Sequence, residues 1–218
     1  MATSRHRWDA LVWDMDGTLI DSATVVPDAF IDTVEQHGGP AVDRRDVTAL
    51  YSLGEPAVML ERMLGRPASG AEVDSYHEEL ARRAGGVRAY PGVKEALQSL
   101  HGRVRMAVFT GASTQAATIL LTAAGLTGFF DHVVGGDQVR NPKPHPDGVI
   151  LAAGRLGSGP RCCAYVGDAP TDLEAASRAG AAPVAAGWGH LHDPDRVPDD
   201  AIRLSTPDDL VGLALKVS

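Results

Sequence analysis

Asp14-Met15-Asp16-Gly17-Thr18 follows directly on a short apolar run, Ala10-Leu11-Val12-Trp13. Two carboxylates two residues apart, at the end of an expected strand and ahead of a turn glycine, concentrate negative charge at one point of the backbone. Residues i and i+2 of a strand point to the same side, so Asp14 and Asp16 are expected to serve one site. There, one acid can act as nucleophile and metal ligand while the other supplies a proton. A polar strand end in a turn would carry the same residues, so the remainder of the chain has to decide.

Further short apolar runs also end in Asp, Gly or Thr and lead into helical patterns. Residues 106–109 precede Thr110-Gly111-Ala112-Ser113, Val133-Val134 precede Gly135-Gly136-Asp137, residues 162–166 precede Gly167-Asp168, and residues 183–186 precede Gly187-Trp188-Gly189. Helices are expected near 92–100, 114–124, 146–155, 172–179 and 207–215. This alternation predicts an α/β fold, a doubly wound and mostly parallel sheet with helices on both faces. Thr171 with Glu174, and Ser69 with Glu72, have capping-box spacing. Thr206-Pro207 reads as a cap and first helical position, and Gly125 and Gly180 as helix stops.

Residues from about Asp21 to Arg88 read differently, with helical patterns near 24–37, 44–51, 56–64 and 71–83 and no strand. The simplest organisation is an α/β core, 1–20 and 88–218, interrupted by a small α-helical lobe, 21–87. Its connections fall near 20–24 and 87–92.

At 218 residues with 44% apolar composition, the chain can bury a substantial core and is not disordered. Acids outnumber bases 28 to 20, a net charge of -8. That argues against a nucleic-acid partner and requires any anionic ligand to be met by a local cation or a metal. Residues 1–8 lack the apolar segment of a secretory leader, and no apolar run reaches membrane-spanning length, so no membrane partner is expected. Cys162 and Cys163 are adjacent and cannot frame disulfides. A cytoplasmic location and a buried strand for the pair are the expectation. Nothing in the sequence fixes the oligomeric state.

In open parallel sheets, ligands bind beyond the carboxyl ends of the strands. Asp14 and Asp16, Thr110, and Asp168 end three different expected strands. Lys143, in the loop Asn141-Pro142-Lys143-Pro144, follows a fourth. Asp172 falls in the first turn of the next helix, where an acid also complements the helix N-terminus. Clustered carboxylates repel unless a cation or proton intervenes, and hard oxygen donors without His or Cys favour Mg²⁺. Lys143, the Thr110 hydroxyl and free N–H groups at Gly111, Ala112 and Ser113 can hold phosphate oxygens. Such an assembly suits phosphoryl transfer from a small phosphorylated metabolite to a carboxylate, followed by attack of water.

The 14–18 segment, Thr110, Lys143 with its flanking prolines, and Gly167-Asp168-Ala169-Pro170-Thr171-Asp172 resemble, in order, the four signature motifs of the haloacid dehalogenase superfamily. The helical insert resembles that superfamily's small cap, and residues 180–189, with Trp188-Gly189, are most similar to its phosphoglycolate phosphatase-like members. The resemblance implies Asp14 as nucleophile, forming an aspartyl-phosphate. It implies Asp16 as acid and base, with its backbone carbonyl on Mg²⁺. Asp168 and Asp172 would also serve the metal, and Thr110 and Lys143 would hold the phosphoryl group. Gly111 departs from the Asn of many relatives, which leaves a backbone contact only.

Asp16 favours phosphate chemistry, since dehalogenases of this group lack a second Asp there. Mutases resembling beta-phosphoglucomutase are the main alternative, but many carry a His where this chain has Val26. Phosphonoacetaldehyde hydrolases need a cap Lys, and no Lys precedes Lys94. A binding module that has lost turnover is a third reading, although Asp14, Asp16 and Lys143 are all retained. The turn Ser52-Leu53-Gly54-Glu55-Pro56 is expected to face the substrate through Ser52, Gly54 and Glu55. Glu55 disfavours a second carboxylate on the leaving group and favours hydroxyls or an amine. The remaining conspicuous residues have plainer expectations. Gly189-His190-Leu191-His192-Asp193 and the stretch 193–200 read as solvated loops, and His145 as shaping the Lys143 loop. Trp13 reads as strand packing, and Met59, Leu60, Met63 and Leu64 as the core of the helical lobe.

Overall fold

Strand β1 (Ala10–Trp13) lies between two strands that come much later in sequence, Arg105–Phe109 on one side and Cys163–Gly167 on the other, both parallel to it. A strand so placed is buried on both faces, which is why its residues read as a continuous apolar run. The computed structural model describes residues 7–215. Most of the stretch 1–8, where no leader was expected, lies outside them.

After β1 come β2 (Ile20–Asp21) and four helices, α1 (Val25–Gln36), α2 (Arg44–Ala49), α3 (Pro56–Leu64) and α4 (Gly70–Arg83). The chain then runs through β3 (Arg88–Ala89), α5 (Val93–Leu100), β4 (Arg105–Phe109), α6 (Thr114–Ala123), β5 (His132–Val134) and α7 (Asp147–Arg155). It closes with β6 (Cys163–Gly167), α8 (Pro170–Ala179), β7 (Ala182–Ala186), β8 (Ile202–Leu204) and α9 (Pro207–Ala214). Six strands form one parallel sheet in the order β5-β4-β1-β6-β7-β8. The chain order reverses direction across β1, as a doubly wound sheet requires. Leu11 and Trp13 pack with Met106, Val108 and Leu97 on one face. Ala10 and Val12 pack with Val149, Ala153 and Tyr165 on the other.

Two features of the connections escaped the sequence. Ile20–Asp21 pairs antiparallel with Arg88–Ala89, so a two-rung ribbon ties together both chain crossings into the helical segment. Two residues are too few to show a period of two, and so is the three-residue β8. Helix α8 starts at Pro170 instead of 172. Pro at the first helical position makes Asp172 the third, and its Oδ2 accepts the Ala169 N–H at 3.0 Å; the Thr171–Glu174 box therefore does not form. The Ser69–Glu72 box does form, with the Ser69 N–H 2.6 Å from Glu72. Cys163 is buried in β6, whereas Cys162 is exposed in the preceding turn, Pro160–Cys162. The stretch 193–200 is only partly solvated, because Val197 is buried.

Within the helical segment, Met59, Leu60 and Met63 of α3 are buried with Phe30, Val34, Tyr76 and Leu80, while Leu64 is partly buried. Phe30 and Tyr76 stack with ring centroids 4.1 Å apart and 25° between planes. No helix of the described residues is long and apolar enough to cross a membrane.

Glu72 is 3% exposed. The Arg66 guanidinium and the Ser69 N–H hold its pKa down to about 2. A depressed carboxylate pKa contributes stability above the unfolded value and loses it as the folded value is approached from above. Glu72→Gln should lower Tm by a few degrees at pH 7, and the gap to the wild type should close as pH falls from about 4.5 towards about 2. Thermal unfolding measured across that range checks it.

Candidate active site

The parallel register sets the site. Asp14 leaves β1 with its N–H donating to the Val166 carbonyl of β6 at 2.8 Å. Thr110 leaves β4 with its N–H donating to Val134 of β5 at 3.0 Å. Asp168 follows β6, and Asp172 sits in the first turn of α8. Carboxylate oxygens of Asp14, Asp168 and Asp172 all lie within 4.8 Å of one another, and all three residues are buried. Lys143 enters this cluster from the loop after β5. Its Nζ lies 2.5 Å from Asp14 Oδ1 and 2.6 Å from Asp172 Oδ1, and donates to the Tyr165 hydroxyl at 3.0 Å. Tyr165 in turn donates to the Phe109 carbonyl at 3.0 Å. The ammonium also stands 5.3 Å from the Phe109 ring centre, within cation–π range.

Burial is the largest influence on Asp14 and Asp168. It pushes the Asp14 carboxyl well above the usual range, with repulsion from Asp172 adding to it and Lys143 opposing it. Asp168 is pushed up to about 7 by burial and by Asp172, against the Leu191 N–H that its carboxylate accepts. Burial alone would lower Lys143, but Asp14 and Asp172 overcome it and hold the ammonium pKa well above its ordinary value.

Asp16 is placed differently from the strand-based expectation. β1 ends at Trp13, so Asp14 and Asp16 both lie in the following loop and not on the strand. The Asp16 carboxylate accepts a short hydrogen bond from the Ser22 hydroxyl and is not part of the three-carboxylate cluster, although it faces the same cavity. Burial raises its pKa too, against the Ser22 hydrogen bond.

The turn glycine keeps these groups close. Gly17 has φ +84°, and a Cβ there would stand 2.3 Å from Asp168 Oδ2. The loop after β7 presses on the other side of the same residue, which corrects the expectation of a solvated loop at 189–193. Leu191 N–H donates to Asp168 Oδ2 at 2.8 Å, His190 Nδ1 lies 2.9 Å from the Tyr90 hydroxyl, and Trp188 Nε1 donates to the Thr18 carbonyl at 2.8 Å. The N–H groups after β4 are not all free either. Ala112 donates to Thr110 Oγ1 at 3.1 Å, and Ser113 caps α6 by accepting from the Ala116 N–H.

A cavity of about 150 Å³ opens between this cluster and the helical segment. Asp14, Asp16, Thr110, Gly111 and Lys143 line it from the sheet side, and Ser52 and Gly54 from the turn before α3. Glu55 does not line it. The residue caps α3 and borders, with Arg140, a neighbouring cavity that shares Gly54, Thr110, Gly111 and Lys143 with the first. The sequence reading missed Val26 as a lining side chain, together with Phe30, Tyr51 and Tyr76, because aromatic and aliphatic residues at helical spacing look the same whether they face a core or a cavity. It also missed Tyr165, a lone hydroxyl between Ala164 and Val166 in β6.

Three buried carboxylates converging on one point form a donor set that fits a divalent cation with a preference for hard oxygen ligands, such as Mg²⁺.

The family of haloacid dehalogenase-like hydrolases matches residues 8–180. A protein described as "Probable phosphatase IndB" from Dickeya dadantii is 34% identical over 94% of this chain and 92% of its own length. A phosphoglycolate phosphatase from Aquifex aeolicus is 31% identical over 93% and 95%. Among solved structures, CbbY from Rhodobacter sphaeroides in complex with phosphate shares the fold with a TM-score of 0.83, at 24% identity over 95% of this chain and 100% of that one. The chain belongs to the haloacid dehalogenase-like hydrolase family.

Crowded buried acids cost stability until a cation joins them. Mg²⁺ at a hundredfold excess over its Kd should add about 2.7 kcal/mol and raise the wild-type Tm by several degrees. Asp168→Asn should raise the metal-free Tm and abolish the Mg²⁺ increment. Differential scanning fluorimetry with and without Mg²⁺ reads both.

Proposed function

We propose that this hydrolase is a Mg²⁺-dependent phosphatase that cleaves small phosphate monoesters through an aspartyl-phosphate on Asp14. The observation that carries this reading is the placement of Asp14, a buried carboxylate 2.5 Å from the Lys143 ammonium, in a cavity it shares with the Thr110 hydroxyl and Asp16. Asp14 attacks phosphorus, and the bond from phosphorus to the ester oxygen breaks as the carboxylate oxygen bonds. Asp16, whose raised pKa favours the protonated form, gives its proton to the departing alkoxide. As a carboxylate it then takes a proton from the water that attacks the aspartyl-phosphate, releasing inorganic phosphate and restoring Asp14. Lys143 and Thr110 hold the oxygens of the transferring group, with the backbone at Gly111 beside them. Asp14, Asp168 and Asp172, with the Asp16 carbonyl, would hold Mg²⁺, which supplies positive charge to the phosphate oxygens.

In this reading residues 21–87 are a cap over a core formed by 1–20 and 88–218, and Ser52 and Gly54 meet the substrate from the cap side. Gly54, with φ +95°, comes so close to Pro142 that a Cβ would stand 3.2 Å from it. The cap turn and the Lys143 loop therefore meet at the cavity, an arrangement that excludes water. Val26 lines the cavity where a mutase of this kind would carry His. An aliphatic side chain cannot relay a proton to a returning hydroxyl, which favours hydrolysis over mutase chemistry. The partner is a small phosphorylated metabolite, with no nucleic acid or membrane surface. A cytoplasmic location accords with two free cysteines.

Asp14→Asn should lower kcat on a generic aryl phosphate by at least about a thousandfold while leaving the fold intact by circular dichroism. Thr110→Ala should cost about a hundredfold to a thousandfold, the usual cost of one positioned oxyanion donor. EDTA should abolish turnover and added Mg²⁺ restore it. Undiminished activity in Asp14→Asn would refute the nucleophile assignment.

A further inference from the structure

The cap side of the cavity has a chemistry that the phosphoryl site does not explain. Val26, Phe30, Pro56 and Met59 supply an apolar wall, and Tyr51 and Tyr76 the polar groups set within it. Tyr76 is 1% exposed. Tyr51 is partly exposed, and neither tyrosine hydroxyl makes a hydrogen bond to another described residue. Burial and the charge of Asp16 push both phenol pKa values up, so both remain neutral donors.

Among the described residues no cation faces this wall. Lys143 is the single Lys or Arg lining the cavity, and its ammonium is engaged by Asp14 and Asp172. Arg66 pairs with Glu72 on the outer surface, and Arg62 is exposed on α3. Arg140 borders the neighbouring cavity beside Glu55. A leaving group with a second carboxylate would enter this region without a counter-ion and would have to lose its water. An apolar wall with a stacked aromatic pair and two unpaired hydroxyl donors instead matches a ring with a hydrogen-bonding rim.

Building on the phosphatase reading above, we propose that the substrate is the phosphate monoester of a neutral, ring-bearing alcohol, of sugar or nucleoside type, and not an ester whose leaving group is itself anionic, such as phosphoglycolate. The ring lies against the apolar wall that Phe30 and Met59 help to form. Tyr51 and Tyr76 donate to its oxygen or nitrogen acceptors, and the phosphate sits on Thr110 and Lys143.

The test is steady-state hydrolysis by the full chain with Mg²⁺. The panel is phosphoglycolate, glycerol 3-phosphate, a furanose 5-phosphate, a hexose 6-phosphate, a nucleoside 5′-monophosphate and a generic aryl phosphate. At least one ring-bearing ester should exceed both phosphoglycolate and glycerol 3-phosphate in kcat/KM by tenfold or more, and the sugar and nucleoside arms tell the two ring classes apart. For that ester, Tyr76→Phe and Tyr51→Phe should each raise KM about threefold to tenfold, the effect of one neutral hydrogen bond, with kcat changed far less. The free alcohol should inhibit competitively, and more weakly in the variants. A preference for phosphoglycolate, above all one lost in Arg140→Gln, would overturn the proposal and leave the phosphatase reading standing. So would unchanged KM in both tyrosine variants. Absence of turnover on every ester, the aryl phosphate included, would overturn both.

Discussion

The site depends on one buried ammonium. Lys143 lies against Asp14 and Asp172 at hydrogen-bond distance, in a region where each of the three charges alone would be costly. Two acids and one base leave a net negative point, and Asp168 makes it more so. Proton uptake or a divalent cation can relieve that excess, and a phosphoryl group can be held only once it has been relieved. The geometry thus couples ion binding and substrate binding through charge balance, without requiring the backbone to move. Tyr165 is part of the same arrangement. By engaging Lys143, and by donating to Phe109 in the adjacent strand, it positions the lysine from within the sheet.

Much of this was legible from the chain. Asp14, Thr110 and Asp168 each follow an apolar run long enough to be read as a strand, and a parallel sheet brings such strand ends to one edge whatever their separation in sequence. The four lobe helices were legible from their apolar spacing. The ribbon of Ile20–Asp21 with Arg88–Ala89 was not, because pairing of two residues leaves no pattern. Asp14 and Asp16 line one cavity as expected, but not through strand alternation, because the strand ends one residue before Asp14. Alternation stops there, and Ser22 instead determines where the carboxylate points. For Glu55 the turn told only that the residue is near the site, since membership of a turn does not say which of two adjoining cavities a side chain borders.

The loop at 189–193 shows why polar, glycine-containing segments read poorly. Its composition is that of a solvated connection, yet it packs against Asp168 so closely that a Cβ at Gly189 would lie 2.2 Å from the Asp168 Cβ. Glycine is required there for the approach of one backbone to another residue, not for flexibility. A sequence cannot distinguish those two uses of glycine, because the difference lies in what stands opposite. Gly17 presses on the same carboxylate from the β1 side, so Asp168 is clamped between two stretches of main chain. A side chain held in this way loses little further freedom on binding an ion, which is the advantage of preorganisation.

Core and lobe therefore divide the chemistry unequally. The core residues are charged, paired and fixed by the register of the sheet, and in the proposed reaction they act on phosphate, the part that phosphate monoesters share. The lobe contributes apolar surface and the neutral hydroxyls of Tyr51, Ser52 and Tyr76, groups suited to discriminate by shape and by hydrogen bonding that add no charge to an already negative site. A cationic lobe would draw in doubly anionic esters, and it would also compete with the metal for the clustered carboxylates across a narrow cavity. A neutral lobe leaves that electrostatic balance to Lys143 and the ion, so selection among leaving groups can change through residues such as Tyr51 and Tyr76 without disturbing the acids that react.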